Sequence, residues 1–291
     1  MIVITGATGN LGKGVIDNLI KKCGPNHLIA SVRDLQKASF YQEKGVSVRK
    51  GSFDCIDDLK TAFEGASQVL IVSANTLGEE ALRLHRNAID AAKLAGVNRI
   101  LYTSHMGARV GSLFAPADQH AGTEAYLAKS GAAYTSLRHG FYAESCLAMI
   151  GDGLKRGELR TPEDGPVSWT ARSDLAQADA EILIDSENWN GVTLPLTAPQ
   201  AWTMAEIAEI ASDISGRRVR HVVVSDQEWL DAKMAAGMPK IYAELLLGSF
   251  QASRRGDFAA THPALENLLG RPARTIREVL TAFLREDPNH Q

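Results

Sequence analysis

Through its first half the chain alternates short, mostly apolar runs with longer stretches in which apolar residues recur at helical spacing. The runs at 2–5, 28–33, 46–50, 69–73, 99–103 and 134–138 are strand-sized. Strands this apolar belong to a parallel sheet covered on both faces. The stretches at 11–22, 35–44, 56–63, 79–95 and 117–130 supply the covering helices. Such alternation, with right-handed crossovers, predicts a doubly wound α/β fold. Gly24 (with Pro25), Gly65, Gly96 and Gly131 each follow a helical stretch. Each stands where a left-handed cap favours the residue without a Cβ.

The rhythm changes after about residue 150. Gly151-Asp152-Gly153 and Thr161-Pro162-Glu163-Asp164-Gly165-Pro166 read as turns. A helix is expected at 175–184 after Asp174, strands at 192–197 and 221–225, and a helix at 203–215. In that last helix Thr203 is the N-cap and Glu206 stands in capping-box register. The remainder reads as mostly helical. The expected organisation is a dinucleotide-binding core over 1–150. A smaller α+β lobe over 151–291 follows it, with the chain crossing back to the core.

Composition narrows the class. Basic and acidic residues number 31 and 34, a net charge of −3, so the basic footprint of a nucleic-acid or anionic-membrane binder is missing. No apolar run reaches the roughly 18 residues of a membrane span. The start, Met1-Ile2-Val3-Ile4-Thr5-Gly6, has no basic leader region. The 3 cysteines Cys23, Cys55 and Cys146 are widely spaced, which argues against a disulfide framework or zinc site and for a reducing compartment. A soluble cytoplasmic protein is expected.

The main chemical signal is Gly6-Ala7-Thr8-Gly9-Asn10-Leu11-Gly12, placed between the first predicted strand and the first predicted helix. Glycine permits a tight turn and close backbone approach to a pyrophosphate, while the helix start offers free N–H groups and positive dipole charge. The spacing is GxxGxxG, not the plain GxGxxG of many dehydrogenases; a ligand-free turn is the bland alternative. The tip of the second strand bears on the choice of cofactor, since an acidic residue there favours NAD and an arginine NADP. Arg33 occupies that tip and can grip a phosphate bidentately. Asp34 beside it argues either for NAD or for an N-cap of the following helix. The expected cofactor is NADPH, with a merely solvated Arg33 as the alternative.

Together the glycine motif, Val32-Arg33, His85-Arg86-Asn87 with Ala91-Ala92-Lys93, Thr123-Glu124, Tyr134-Thr135-Ser136-Leu137-Arg138 and Arg172-Ser173-Asp174-Leu175-Ala176 resemble the NmrA-like atypical short-chain dehydrogenase/reductases. The resemblance runs from residue 1 to about 285, and is strongest to members that reduce quinones and triphenylmethane dyes with NADPH. It implies that the Gly6–Gly12 turn holds the pyrophosphate and Arg33 the 2′-phosphate. Phe53 and Asp54 would flank adenine, Ser73, Ala74 and Asn75 would follow the nicotinamide ribose, and Thr103 and Ser104 would stand near the nicotinamide. It further implies that His139, Gly140, Phe141, Tyr142, Ala143 and Glu144 close over the reactive ring, with Tyr142 facing the substrate. Trp169–Arg172 would line the same mouth. His139 departs from the asparagine usual after Leu-Arg in this group, which makes carboxamide orientation, and so the acceptor, a point of difference.

No Tyr-x-x-x-Lys general-acid pair is present. Tyr126 and Lys129 lie three apart, neighbours on a helix, and read either as a shortened pair or as a packed tyrosine and a solvated lysine. Reduction of a quinone or a cationic dye needs no dedicated acid: the hydroquinone anion is weakly basic, and a reduced cationic dye is neutral. The expected mechanism is direct hydride transfer, with Tyr142, Phe141 and Trp169 stacking on the acceptor and Tyr142 and His139 nearest the chemistry. His105, His120 and His139 invite a metal reading, but no HxxxH or HxH spacing links them, so no metal is expected. Cys55 reads as packing or loop surface, and 234–247 as packing faces or a pocket roof. The other readings are a reductase or isomerase of another catabolic aromatic compound and a non-catalytic NADP sensor. The partner is an aromatic or quinoid small molecule; the oligomeric state stays open, a homodimer among the options.

Overall fold

The computed structural model describes residues 1–286. Strand β1 (Ile2–Ile4) leads through the glycine turn into α1 (Asn10–Cys23), and β2 (Leu28–Val32) follows. Short α2 (Ser39–Glu43), β3 (Ser47–Lys50), α3 (Ile56–Phe63), β4 (Gln68–Ile71), α4 (Gly78–Leu94), β5 (Arg99–His105), α5 (Ala115–Lys129) and β6 (Ala133–His139) complete the alternating part. Then come α6 (Ala143–Arg156), β7 (Glu158–Pro162), α7 (Arg172–Ile184), β8 (Gly191–Val192), α8 (Met204–Ser215) and β9 (Arg220–Val224). Helices α9 (Asp226–Ala235), α10 (Lys240–Arg254), α11 (Ala264–Leu269) and α12 (Ile276–Glu286) end the described chain.

Among the described residues the main sheet runs β3-β2-β1-β4-β5-β6-β8, all parallel. The order reverses between β1 and β4, the switch point at which a doubly wound Rossmann sheet binds ligand outside its strand ends. The buried strand residues alternate sides as the pleat requires. Ile4, Leu70, Leu101 and Leu137 face a core with α1 and α7, while Val3, Val69, Ile71, Ile100 and Tyr102 face one with α3 and α4. A third core, in the C-terminal lobe, joins α6, α8, α10 and α12 around Phe141, Trp169, Phe250 and Phe258, beside the two-stranded β7-β9 sheet. Gly24, Gly65, Gly96 and Gly131 all hold the positive φ expected of them.

Several expected boundaries shift. The 35–44 stretch is a 3-10 turn, Gln36–Ala38, followed by short α2. The Asp34 carboxylate accepts the Gln36 N–H at 3.0 Å, so it terminates the strand instead of capping one long helix. Gly151-Asp152-Gly153 is not a turn but lies within α6, which also spans the 150/151 division. Gly153 serves close packing there: a Cβ would come within 2.7 Å of the Leu159 side chain. Thr161-Pro162 ends β7 instead of opening a loop. Strand β8 keeps only two residues, because Pro195 has no N–H to pair; beyond it Leu196 makes an isolated bridge with His139. Helix α7, chain-distant from the core, packs along α1, and β8 extends the main sheet beside β6.

Candidate active site

The glycine turn is built from backbone. Gly6 sits at φ +56°, and the Gly9 N–H closes the turn on the Gly6 carbonyl at 2.9 Å. A Cβ on Gly12 would stand 2.5 Å from that same carbonyl, so the position admits glycine alone. Helix α1 opens at Gly9 with no side-chain cap and no acidic residue in its first turn. Thr8, Gly9 and Asn10 are exposed there, whereas Ala7 and Leu11 are buried beneath them. The free N–H groups and the positive helix end therefore face solvent as a ready anion cradle. Tyr41, fully buried in α2, donates its O–H to the Ala7 carbonyl at 2.6 Å and braces the turn from below. Sequence reasoning missed this brace, because nothing local ties residue 41 to residue 7.

Arg33 projects from the tip of β2, exposed and without a hydrogen bond or ion pair among the described residues. Asp34, by contrast, is occupied by its own turn, so the acidic neighbour is not aimed at a ribose. Asp54 is also engaged: it pairs with Arg83 at 2.9 Å, and Arg83 pairs with Glu80 at 2.6 Å. Phe53 is fixed through its carbonyl, which accepts from the Asn87 amide at 2.8 Å. Both residues follow β3, the strand paired with β2, whose tip carries Arg33. The cradle, the uncommitted guanidinium and this flank together fit a dinucleotide bearing an additional phosphate.

From the glycine turn across β4 to β5, two threonines tie the strand tips together. Thr5 donates to the Leu70 carbonyl at 3.1 Å and accepts the Val72 N–H at 2.9 Å. Thr103 accepts the Ser73 N–H at 2.9 Å. Ser73, Ala74 and Asn75 thus leave β4 in a fixed direction, into a cleft of about 430 Å³ whose walls include Leu77, Gln119, His120, Ile241, Tyr242 and Leu245. Helix α10 supplies Ile241 and Tyr242, both more than half exposed, so part of the 234–247 stretch does roof a pocket. A second cavity of about 290 Å³, between α6, β7 and α9, is lined by neither the glycine turn nor the strand tips.

Several residues expected at the mouth are committed elsewhere. Ser104 faces away from Thr103 on the pleat and donates to Glu124 at 2.7 Å; Ser136 and Arg138 bind the same carboxylate. Glu144 accepts the Arg172 N–H at 3.1 Å and so ties the start of α6 to the start of α7. Phe141 and Trp169 are 8% and 2% exposed and pack edge-on at 5.1 Å within the third core, which leaves their faces unavailable for stacking. Gly140 is required where it stands, because a Cβ would overlap the Thr170 side chain. Tyr126 donates to Asp90 at 2.9 Å on the α4–α5 surface, and Lys129 is exposed, so the packed-and-solvated reading describes this pair.

Tyr142 and His139 do come together. His139 Nε2 lies 2.8 Å from Asp179 Oδ1, both groups fully buried, and His139 Nδ1 lies 3.4 Å from the Tyr142 hydroxyl. The Arg172 guanidinium sits 4.9 Å from the Tyr142 ring centre, a cation–π contact. Burial and the nearby Asp179 push the Tyr142 hydroxyl well above its ordinary range, so it is neutral at physiological pH. Tyr142 also packs against the core that contains Ala7 and Leu11, beside the glycine turn. Asp179 carried no motif and was missed; its partner lies 40 residues away in the chain.

This geometry can be set beside known proteins. The chain matches the NmrA-like family over residues 1–279. It belongs to that family. Quinone oxidoreductase 2 of Escherichia coli is 34% identical over 279 residues, 96% of either chain. The crystal structure of the NADPH-dependent quinone oxidoreductase of that organism, complexed with NADPH, aligns with a TM-score of 0.92 over 97% of this chain and 99% of that one, at 33% identity. Citrobacter triphenylmethane reductase complexed with NADP(H) aligns at 0.91 and 32% identity, over 97% and 99%. The NAD(P)H azoreductase of Xenophilus azovorans is 28% identical over 283 residues, 97% of either chain. These relatives match over 96% or more of this chain, so the likeness extends past the glycine turn to the segments that line the cleft of about 430 Å³.

Proposed function

We propose that this NmrA-like protein is an NADPH-dependent oxidoreductase that passes hydride directly to a flat, conjugated, electron-poor acceptor such as a quinone or a cationic dye. The observation that carries this reading is the placing of two features along the strand tips of one parallel sheet. An anion cradle with an uncommitted arginine stands at one end, and an apolar-roofed cleft opens beside the Ser73–Asn75 segment at the other. The full-length similarity to quinone, triphenylmethane-dye and azo-compound reductases supports it.

In this reading Gly6–Gly12 hold the pyrophosphate on the start of α1, and Arg33 grips the 2′-phosphate. Phe53 and Asp54 flank the adenine, and Ser73, Ala74 and Asn75 lie along the second ribose. When bound, NADPH supplies the hydride. The chain's own work is to fix positions and exclude water. Tyr142, held between the Arg172 guanidinium and the His139–Asp179 pair, limits movement over the reactive face. Ile241, Tyr242 and Leu245 press a planar acceptor against the strand tips. The core over 1–150 binds the cofactor, while residues beyond 150 supply the acceptor wall through α10.

The test follows NADPH absorbance against a panel of quinones, triphenylmethane dyes and azo compounds. Saturable NADPH oxidation with at least one class, slower with NADH, is expected. Tight NADPH binding with no oxidation by any acceptor would replace the reductase with a nucleotide sensor.

A further inference from the structure

A buried hydrogen-bond chain behind the cleft has its direction set by one backbone amide. The Ala74 N–H can only donate, and it meets His85 Nε2 at 2.9 Å, so that nitrogen accepts. Burial holds the His85 pKa down at about 4, so the ring is neutral and its proton lies on Nδ1. Nδ1 therefore donates to Thr123 Oγ1 at 2.9 Å, consistent with the Thr123 O–H donating onward to the Gln119 carbonyl at 3.0 Å. The same Nδ1–H also faces the Tyr102 oxygen at 3.4 Å. Tyr102, buried and held protonated, also meets Thr123, but with the Thr123 oxygen already taking the His85 proton its O–H is assigned to His120 Nδ1 at 2.7 Å. His120 is neutral for the same reason as His85, since burial and the neighbouring imidazoles His105, His85 and His139 push its pKa far down. A neutral ring that accepts at Nδ1 carries its proton on Nε2. That Nε2–H has no protein partner among the described residues, and His120 is a wall of the cleft.

We infer that His120 presents a fixed, uncharged Nε2–H donor to a carbonyl oxygen of the acceptor, which makes it a catalytic residue selective for quinoid acceptors whose reduction places negative charge on oxygen. The inference rests on the reductase reading. The acceptor takes the hydride, NADPH is oxidised by two electrons, and the added electron pair ends as an aryloxide on the carbonyl oxygen. His120 holds that oxygen without giving up its proton, and water then protonates the aryloxide to the hydroquinone. A neutral imidazole suits the task because it stabilises charge only as the charge develops. A cationic triphenylmethane acceptor becomes neutral on reduction and develops no such oxygen. The titratable groups around the donor are Tyr102 and His105 from β5, His85 from α4, Glu124 from α5 and His139 from β6. All the imidazoles with resolved shifts here are held neutral, so the donor persists through the physiological pH range.

The test compares wild type, His120→Leu and His120→Gln on a 1,4-naphthoquinone and on a cationic triphenylmethane dye. Loss of one such donor typically costs about 10²–10³ in turnover. For His120→Leu the quinone-to-dye ratio of kcat/KM is expected to fall by at least about tenfold. His120→Gln, whose amide nitrogen reaches the Nε2 position, recovers most of it. Nitrogen-15 NMR of the protein without cofactor is expected to show His120 as the neutral Nε2–H tautomer, lost as a signal in both variants. An unchanged ratio, or an Nδ1–H or doubly protonated ring, overturns the inference while leaving the reductase reading intact. Dye turnover without quinone turnover in the wild type also overturns it alone, whereas wild type inactive on both acceptors overturns the reductase reading as well.

Discussion

The two ends of the crevice are made in opposite ways. At the proposed phosphate end the grip rests on seven consecutive residues and on Arg33, an exposed side chain with no hydrogen bond or ion pair among the described residues. At the proposed acceptor end it rests on buried or half-buried groups that different elements bring together: Thr103 with Ser73, and His85 with Ala74 and Thr123. A ligand that is recognised by bare backbone N–H groups needs only a local turn. An acceptor that must be aligned with a reactive ring needs walls that several elements fix together. Substituting the exposed Arg33 at the first end should therefore cost binding and little stability, whereas the buried glycine of the turn cannot change without moving backbone. At the second end substitutions should cost stability first.

The largest expected effect breaks the phosphate end. Gly12→Val places carbon where the Gly6 carbonyl already stands, so NADPH affinity should fall by at least about a hundredfold, read by fluorescence titration. A near-normal affinity would mean that the turn does not hold the pyrophosphate. Behind the Tyr142 ring, His139→Ala removes the hydrogen bond to Asp179 Oδ1 and leaves that buried side chain without a partner among the described residues. Leaving a buried polar group without its hydrogen-bond partner costs about 1–3 kcal/mol, measurable by urea denaturation.

Acid should separate the two ends as well. Folded His85 has a pKa of about 4 against 6.5 when unfolded, and folded His105 about 3, in both cases because of burial. The unfolded chain thus binds more protons, so stability is fully present above about pH 6.5 and falls as pH drops through 4. For His85 the full loss is about 3 kcal/mol. Thermal denaturation across this window checks it, and replacing His85 should flatten part of the slope. Arg33→Ala should show the converse: KM for NADPH rises about 10- to 100-fold, KM for NADH is unchanged, and the melting temperature does not move.

The same contrast explains what could be read before the fold was known. The strand–glycine turn–helix unit, the parallel sheet and the Arg33 tip follow from contiguous pattern. Asp34 was ambiguous until its carboxylate was seen accepting the Gln36 N–H. Ser104, Glu144, Phe141 and Trp169 lie in the right segments, but pleat alternation and core packing turn their side chains to other partners. Sequence position places a backbone near a site; it does not say which face of the strand the site is on. Tyr41 and Asp179 carry no signal in the sequence because each meets a partner that only the fold brings near, and His120, weighed there only as a metal ligand, meets Tyr102 in the same way.

The central claim is direct hydride transfer from the cradle end of the crevice to an acceptor at the other. NADPH carrying deuterium at the transferable C4 position, incubated with a cationic triphenylmethane dye, tests it most directly. Mass spectrometry should find one deuterium on the central carbon of the reduced dye. Reduced dye without deuterium, its new hydrogen drawn from water, would contradict the account.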